Sequence, residues 1–229
     1  MGTKHLSRLA SPNSWNIRRK DNKWVMRPLP GAHPLKLGMP LTILLRDILS
    51  YAKNSKEAKF ILNKGEIFVD GKVRKEPKFI VGLMDIISIP NMKTSFRILL
   101  NNKGKLVPVK IKDEDAKSKL SKIINKSKIK GNKIQLNLSD GRNIIADKDS
   151  YKVGDVVLIE LSSNKIIKTI NLEKGAFIIL NGGKHIGDAG LIEEIEGNKI
   201  IYKKDGQTYK TLKKYAFAIG RDKPLISLG

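Results

Sequence analysis

The 229-residue sequence contains no cysteine, only three histidines, and 22 acidic residues against 45 basic ones. Without cysteine, the chain can form neither a disulfide nor a zinc site built on thiolates. The histidines, His5, His33 and His185, lie far apart and show none of the spacings of metal-binding pairs. No metal site and no cofactor are therefore predicted.

Long hydrophobic runs are also missing. No apolar stretch approaches the roughly 20 residues that a membrane-spanning helix needs. The N-terminus lacks the hydrophobic core of a signal peptide. We therefore expect a chain that stays in the cytosol.

Common catalytic and phosphate-binding motifs are absent from the sequence. The segment Gly182-Gly183-Lys184-His185 resembles a phosphate-binding loop only superficially, because that loop needs glycine where Ile178 stands and serine or threonine where His185 stands. Neither G-x-S-x-G nor G-x-G-x-x-G after a strand occurs. No catalytic residue is predicted, and no small-molecule substrate.

Positive charge is what the sequence has in excess, with a net charge of +23. A surplus of this size is repulsive within the chain unless a polyanion neutralises it, so nucleic acid or an anionic membrane surface is the expected partner. Bases outnumber acids by 8 to 1 in residues 1–40, 11 to 6 in 41–100, 17 to 9 in 101–174 and 9 to 6 in 175–229. This distribution favours an extended contact surface over one local groove.

Residues 1–40 show no sustained periodicity and are interrupted by five prolines. The two tryptophans of the chain, Trp15 and Trp24, lie here among basic residues, and Asp21 is the one acid. A segment so polar cannot offset its own ordering entropy. It could be a plain flexible terminus, but aromatic residues in a basic arm can stack on bases or pack on a surface. We expect an arm that orders on RNA.

Residues 41–100 predict a small domain with two helices and a hairpin. Apolar residues from Leu41 to Leu49 recur at helical spacing. Asn54 or Ser55 can cap a second helix, which Gly65 ends. Asp70-Gly71 predicts a two-residue hairpin turn, and 85–89 predicts a further strand.

The segment from Lys53 to Lys75 carries seven basic residues against Glu57, Glu66 and Asp70. A solvated helix face would explain part of this charge. So large a surplus on one compact element, however, favours a phosphate-binding surface.

Residues 101–173 predict a β-rich domain. Residues 106–111 and 156–159 suit buried strands, and the alternation of Ile134, Leu136 and Leu138 before Asp140-Gly141 suits a hairpin. Residues 113–124 predict a helix, since three acids at its start would suit a helix N-terminus. We expect a barrel or curled sheet with lysines on the solvent side.

Residues 174–229 predict a small β-barrel. Strands are expected at 176–180, 191–195, 200–202 and 209–211, with a glycine-rich loop from 181 to 190. This loop resembles a KOW motif, which implies RNA contact by Lys184 and His185; glycines that serve only the turns are the alternative. The complete chain is predicted to be a multi-domain α+β protein with boundaries at 1–40, 41–100, 101–173 and 174–229.

Two resemblances sharpen the functional prediction. The motifs L-R-D-x-L, S-K-x-A, N-K-G-x-I-x-V-D-G-K-V and G-x-x-D-I-I resemble the S4-type RNA-binding domain. The motifs K-H-L-x-R-L-x-x-P, W-x-I-x-R-K and R-P-x-P-G-x-H-P, which lead directly into P-L-x-x-L-L-R-D-x-L, resemble the start of the S4e ribosomal proteins of archaea and eukaryotes.

The resemblance implies a structural constituent of the small ribosomal subunit in the cytoplasm, with ribosomal RNA and neighbouring ribosomal proteins as partners. It implicates Arg46, Lys56, Lys64 and Lys72 of the S4-type module. Together with the other basic and aromatic candidates, the predicted RNA-binding residues are Lys4, His5, Arg8, Arg18, Arg19, Lys20, Trp24, Arg27, Arg46, Lys53, Lys56, Lys59, Lys64, Lys72, Arg74, Lys75, Lys184 and His185.

Two other functions use the same modules. An RNA-modifying enzyme such as a pseudouridine synthase would need a large catalytic domain, whereas the residues after Pro90 read as small β modules. A transcription or translation regulator could use the KOW-like element against RNA polymerase or mRNA. Sedimentation with small subunits would separate a ribosomal protein from such a regulator.

Overall fold

The structure is a computed structural model that describes residues 5–147, 149–221 and 223–226. It divides into two compact units. The first comprises residues 1–100 and 105–116, and the second comprises residues 101–104 and 117–229. The fourfold domain division expected from the sequence stays a prediction.

The first unit contains two short helical segments and nine strands among the described residues. Helix α1 (Leu41–Ile43) continues into a π-helical turn (Leu44–Ile48), and helix α2 spans Ser55–Asn63. Strands β1 to β9 span Leu6–Ser7, Trp24–Val25, Gly38–Pro40, Phe68–Val69, Lys72–Val73, Ile80–Gly82, Ile86–Ile89, Thr94–Leu100 and Leu106–Ile111.

A five-stranded antiparallel sheet in the order β5-β4-β7-β8-β9 forms the centre of this unit. The helices bury Leu41, Leu44 and Leu45 from the first segment and Ala58 and Leu62 from α2. The predicted helical stripe is thus confirmed at its N-terminal end. Its later members, 48 and 49, are half-buried, where the π-helical turn ends.

The helix cap, the helix end and the hairpin turn lie where the sequence predicted them. The Asn54 side chain accepts a hydrogen bond from the backbone N–H of Glu57 at 2.9 Å, which caps α2. Gly65 follows the helix with φ +76°, in the left-handed region. Asp70 and Gly71 both have positive φ, as a two-residue hairpin turn requires.

The N-terminal segment differs from the expected arm, because it packs onto the rest of the first unit. Strands β1 and β2 pair with each other. Trp15 is fully buried, and its indole N–H donates to the carbonyl oxygen of Gly38 at 2.7 Å. His33 is buried, with Nε2 at 2.9 Å from both carboxylate oxygens of Asp85. These long-range contacts supply the order that composition alone did not indicate.

The second unit contains eleven strands within its described residues. Strands β10 to β20 span Ser118–Lys128, Ile134–Leu138, Asn143–Ala146, Val156–Glu160, Ile166–Ile170, Ala176–Leu180, Ala189–Glu196, Lys199–Lys204, Gln207–Leu212, Ala216–Arg221 and Lys223–Pro224. They form two antiparallel sheets, in the orders β12-β11-β10-β13-β14 and β18-β17-β16-β15-β19-β20.

The first of these sheets corrects the helix predicted at 113–124. Only a single 3-10 turn (Asp115–Lys117) is present, and the chain then enters β10. Residues 118–122 of β10 pair with β13 and residues 123–128 pair with β11, so each half of the strand is hydrogen-bonded to a neighbouring strand. Leu120 and Ile123 are buried in the sheet. Strand pairing therefore outweighs the local helical signal.

The predicted strands of 134–138, 156–159 and 176–180 are confirmed. The loop from 181 to 188 joins β15 to β16, and Asp205-Gly206 turns β17 into β18. Strand β19 was missed, although its residues 216–219 are buried.

The fold class predicted from the sequence, α+β, is wrong: the described residues form a mostly β protein with two short α-helices and several sheets. The predicted helix that became β10 accounts for part of the error. The remainder comes from short strands such as β1 to β3, which have no sequence periodicity to reveal them.

Candidate nucleic-acid interface

Helix α2 and the residues at its two ends present an exposed basic surface. Lys53, Lys56, Lys59 and Lys64 are all exposed. The acid of this helix, Glu57, is engaged at its start, where a carboxylate oxygen accepts a hydrogen bond from the backbone N–H of Lys53 at 2.8 Å. The arrangement resembles a capping box, except that Glu57 reaches the residue before the N-cap Asn54 and not Asn54 itself. The hydrogen bond holds the Glu57 carboxylate at the start of the helix, where its negative charge is outnumbered by the four lysines.

The hairpin β4–β5 adds three basic residues. Lys72 and Lys75 are exposed, and Arg74 is half-buried with its guanidinium 4.4 Å from the ring centroid of Phe79. Asp70, in the turn, accepts a hydrogen bond from the backbone N–H of Ile86 at 3.0 Å. The acid of the hairpin thus supports the turn.

Arg46 belongs to a small network around Asp47. Its Nη2 lies 2.7 Å from Asp47 Oδ2, and its Nη1 donates to the hydroxyl of Ser55 at 2.8 Å. The other carboxylate oxygen of Asp47 lies 2.8 Å from Arg8 Nη2. Asp47 therefore holds the guanidinium groups of both arginines. The Arg46 side chain is about one-fifth exposed, whereas that of Arg8 is almost fully buried.

Arg8 was predicted from the sequence to bind RNA. The structure places its side chain in the interior, 2% exposed, where it also donates to the carbonyl oxygen of Arg18. Burial makes it an anchor of the N-terminal segment. Sequence reasoning missed Asp47, the residue that holds it, because the two lie 39 positions apart.

The remaining arm candidates are divided between structural and exposed roles. Arg19 is half-buried and donates to the carbonyl oxygens of Leu9 and Pro12 and to the side chain of Asn13. The others that the structure describes are exposed: His5, Arg18, Lys20, Trp24 and Arg27. Lys4 lies outside the described residues.

Trp24 is 54% exposed, in contrast to the buried Trp15. Its ring centroid lies 5.6 Å from that of His5, and Lys23 Nζ lies 5.3 Å from it. Of the two roles expected for aromatic residues in this segment, packing is confirmed for Trp15, and stacking on bases stays a prediction for Trp24. Trp15 packs in the interior, and Trp24 offers a surface for stacking.

Phe60 is an exposed aromatic residue that sequence reasoning missed. It lies on α2 with 61% of its surface exposed, and Lys64 Nζ lies 4.7 Å from its ring centroid. A signal was present in the sequence, because Phe60 falls outside the apolar stripe formed by Ala58, Ile61 and Leu62.

In the second unit, Lys184 is exposed and His185 is half-buried. The His185 ring lies 4.9 Å from that of Tyr209, and its Nδ1 lies 3.5 Å from Asp188 Oδ2. The glycines before Lys184 pack against Tyr215: a Cβ added at Gly182 would lie 2.5 Å from that ring. These glycines therefore serve close packing, and Lys184 is the loop's exposed cation.

The second unit also holds a partly buried lysine. Lys122 Nζ donates to the carbonyl oxygens of Lys214 at 3.1 Å and Ala216 at 2.6 Å. Burial, with a smaller contribution from the positive charge of Lys213, lowers the pKa of Lys122 to about 8. This side chain joins β10 to the segment that leads into β19.

Within residues 5–147, 149–221 and 223–226, three or more histidine, aspartate or glutamate residues nowhere gather in an arrangement that could hold a metal ion. In the same part of the chain, every helix is too short or too polar to cross a membrane.

Comparison with known proteins gives matches over nearly the whole chain. Residues 92–166 match the model of ribosomal family S4e, and residues 1–36 match that of the RS4NT (NUC023) domain. The small ribosomal subunit protein eS4 of Methanosphaera stadtmanae is 46% identical, with 98% of this chain and 95% of that protein covered. The protein of the same name from Methanocaldococcus jannaschii is 45% identical, with 98% and 97% covered.

A solved structure resembles the fold. The crystal structure of the 30S ribosomal protein S4e from Thermoplasma acidophilum superposes with a TM-score of 0.72 at 35% sequence identity. The match covers 81% of this chain and 96% of that one.

Proposed function

The chain belongs to the S4e family of ribosomal proteins, and we propose that it binds small-subunit ribosomal RNA through exposed basic side chains on α2 and on the β4–β5 hairpin. As a member of this family, it is a structural constituent of the small ribosomal subunit in the cytoplasm.

The main support for the proposal is the exposure of basic side chains in the segment from Lys53 to Lys75. Six of its seven bases are exposed, and the seventh, Arg74, is half-buried. Two of its three acids, Glu57 and Asp70, accept hydrogen bonds from backbone N–H groups. The bases therefore face solvent while these carboxylates support the fold, which leaves a surface suited to a polyanion.

Binding of this kind requires no reaction. Lysine and arginine side chains neutralise phosphates and release counterions, while the folded surface selects an RNA of matching shape. Arg46 is suited to orient a phosphate because Asp47 and Ser55 fix its guanidinium. We propose that the protein catalyses no reaction, and that neighbouring ribosomal proteins are its further partners. The proposal includes neither a membrane nor a small-molecule substrate.

Other parts of the chain extend the proposed interface. The exposed members of the N-terminal segment, Arg18, Lys20, Trp24 and Arg27, would contact RNA beside the S4-type module. In the second unit, the loop with Lys184 would act as a KOW-like element within a small barrel. The functional divisions proposed are 1–40, 41–100, 101–173 and 174–229.

The first experiment measures how affinity for protein-free small-subunit ribosomal RNA depends on salt. If six or more phosphates are contacted, affinity should fall on the order of a thousandfold between 50 and 200 mM salt. An affinity that stays constant over this range would contradict binding through phosphates.

The second experiment locates the surface. The triple substitution Lys56→Ala, Lys59→Ala and Lys72→Ala should weaken binding and reduce the salt slope by about 1 per lost phosphate contact. The thermal transition should not move, because all three side chains are exposed.

The control removes the same charge elsewhere. Lys128, Lys130 and Lys165 are exposed lysines of the second unit and can be changed to alanine together. If this control weakens binding as much as the first variant, net charge rather than the α2 and hairpin surface determines affinity.

A further inference from the structure

We infer that Phe60 is a stacking platform for an unpaired nucleobase of the bound RNA. This inference rests on the proposed RNA-binding function and adds to it a specific chemistry. The inference is that α2 contacts a single-stranded or bulged nucleotide at Phe60, and not a regular duplex.

The exposure of Phe60 is the first observation. Its residue surface is 61% exposed, although the other face of α2 buries Ala58 and Leu62 completely. Phe60 therefore contributes little to the core of the first unit. An apolar surface of this size in water lacks the stabilisation that burial would give. A partner that covers the ring would therefore gain binding free energy.

The charge around the ring is the second observation. Lys56 and Lys64 lie four residues before and after Phe60, about 6 Å along the axis in either direction. Lys59 is adjacent and exposed. An apolar protein partner would have to desolvate these ammonium groups, whereas a nucleotide brings a flat base for the ring and phosphates for the lysines.

The third observation concerns the acid on this face. Glu57 is the carboxylate within one turn of Phe60, and its side chain is bound to the backbone N–H of Lys53. The carboxylate is held at the start of the helix, and Lys56, Lys59 and Lys64 outnumber it around the ring. Lys64 Nζ already lies 4.7 Å from the ring centroid, so the cation and the aromatic face form one composite surface.

Only an unpaired base fits such a surface. In an A-form duplex the bases are stacked on one another, and an aromatic side chain meets the sugar and phosphate groups. A base in a loop, bulge or single strand exposes its face to the ring, and stacking of this kind tolerates every base.

The test compares Phe60→Ala with Phe60→Tyr in the full-length protein, using protein-free small-subunit ribosomal RNA as the probe. Phe60→Ala should weaken binding by roughly five- to a hundredfold. Phe60→Tyr should bind as the wild type does, because it keeps the aromatic face. Met92→Ala serves as the control, since Met92 is also a large apolar residue of the first unit with 52% exposure.

The salt dependence separates stacking from charge. Phe60→Ala removes no charge, so its affinity should be lower by the same factor at every salt concentration, with an unchanged slope. The double substitution Lys56→Ala and Lys64→Ala should instead reduce the slope. A slope in Phe60→Ala that falls like that of the lysine variant would overturn the inference, because the ring would then act only by positioning lysines.

Two further results would overturn it. One is equal affinity of wild type and Phe60→Ala for the RNA. The other is a Phe60→Tyr variant that binds as weakly as Phe60→Ala, because an aromatic face would then not be what the RNA contacts. If the wild-type protein itself does not bind the RNA, the proposed function fails first, and that outcome is distinct from either result.

Discussion

Replacing Arg8 with methionine should destabilise the first unit without directly removing an RNA contact. Methionine keeps much of the length and apolar volume of the side chain but removes its donors. In the folded chain, Arg8 is 2% exposed and donates to Asp47 and to the carbonyl oxygen of Arg18. The substitution therefore tests whether a base of the N-terminal segment is structural.

The magnitude follows from the partners left behind. Hydrogen bonds to charged groups contribute about 1.5–3 kcal/mol each, and breaking a buried pair costs about 3–5 kcal/mol when the remaining charge is left unpaired. Asp47 is not left unpaired, because Arg46 stays bound to its other oxygen at 2.7 Å. We therefore expect a loss of about 2–4 kcal/mol in the free energy of unfolding.

Tryptophan fluorescence during urea unfolding is a selective assay. Both tryptophans of the chain belong to the first unit, and Trp15 is fully buried there. Lys20→Met is the matched control, since it removes the same charge from an exposed position in the same segment. It should change stability by less than about 0.5 kcal/mol.

The interaction energy itself comes from a double-mutant cycle with Asp47→Asn. If Arg8→Met and Lys20→Met unfold at the same urea concentration as wild type while Arg8→Met binds RNA more weakly, Arg8 is an RNA ligand after all. That result would refute the structural role assigned to it.

Three other substitutions test separate features of the fold. Burial lowers the pKa of Lys122 to about 8, so between that pH and its ordinary value of 10.5 the unfolded chain holds a proton that the folded chain has lost, and stability should rise with pH over this window. Relative to Lys122→Met, the wild type should gain about 2–3 kcal/mol from pH 7.5 to 10.5, measured by circular dichroism in urea. Asp85→Asn should lower the stability of the first unit by about 2–4 kcal/mol in the tryptophan assay, because the buried carboxylate accepts hydrogen bonds at 2.8 and 2.9 Å; an unchanged urea midpoint would contradict this. Gly187→Ala should destabilise the second unit more than Gly197→Ala does: both glycines have positive φ, but the new Cβ at Gly187 would lie 2.0 Å from the carbonyl oxygen of Asn101, whereas Gly197 has open space. Equal thermal shifts for the two alanine variants would show that the close approach is unimportant.

The features of the fold that the sequence predicted correctly are local. Asn54, Gly65 and the pair Asp70-Gly71 each determine a backbone conformation through their own chemistry, and all act as expected. The alternating strand from Ile134 to Leu138 likewise follows from its own pattern of burial. Such signals depend on neighbours within a few positions, so a single sequence contains them.

The features of the fold that the sequence did not predict depend on residues far away along the chain. The helix expected at 113–124 became part of a strand because residues 118–122 pair with β13 and the rest of β10 pairs with β11. The N-terminal segment looked too polar to order, but its side chains contact Asp47 and Asp85 elsewhere in the first unit and Gly38 near its own end. No local periodicity encodes these pairings, since their partners are 39, 23 and 52 positions away.

The same reasoning explains why the candidate site was predicted only in part. Charge in a sequence identifies a cation but not its surroundings, and this chain uses cations in two ways. Arg8, Arg97 and Lys119 are at most 2% exposed and hold the fold together, whereas the lysines of α2 face solvent. A buried cation is already paired or bound to carbonyl groups in the free protein and releases no counterion from RNA. The salt slope of RNA binding should therefore scale with the exposed bases at the interface, and the net charge of +23 overstates it.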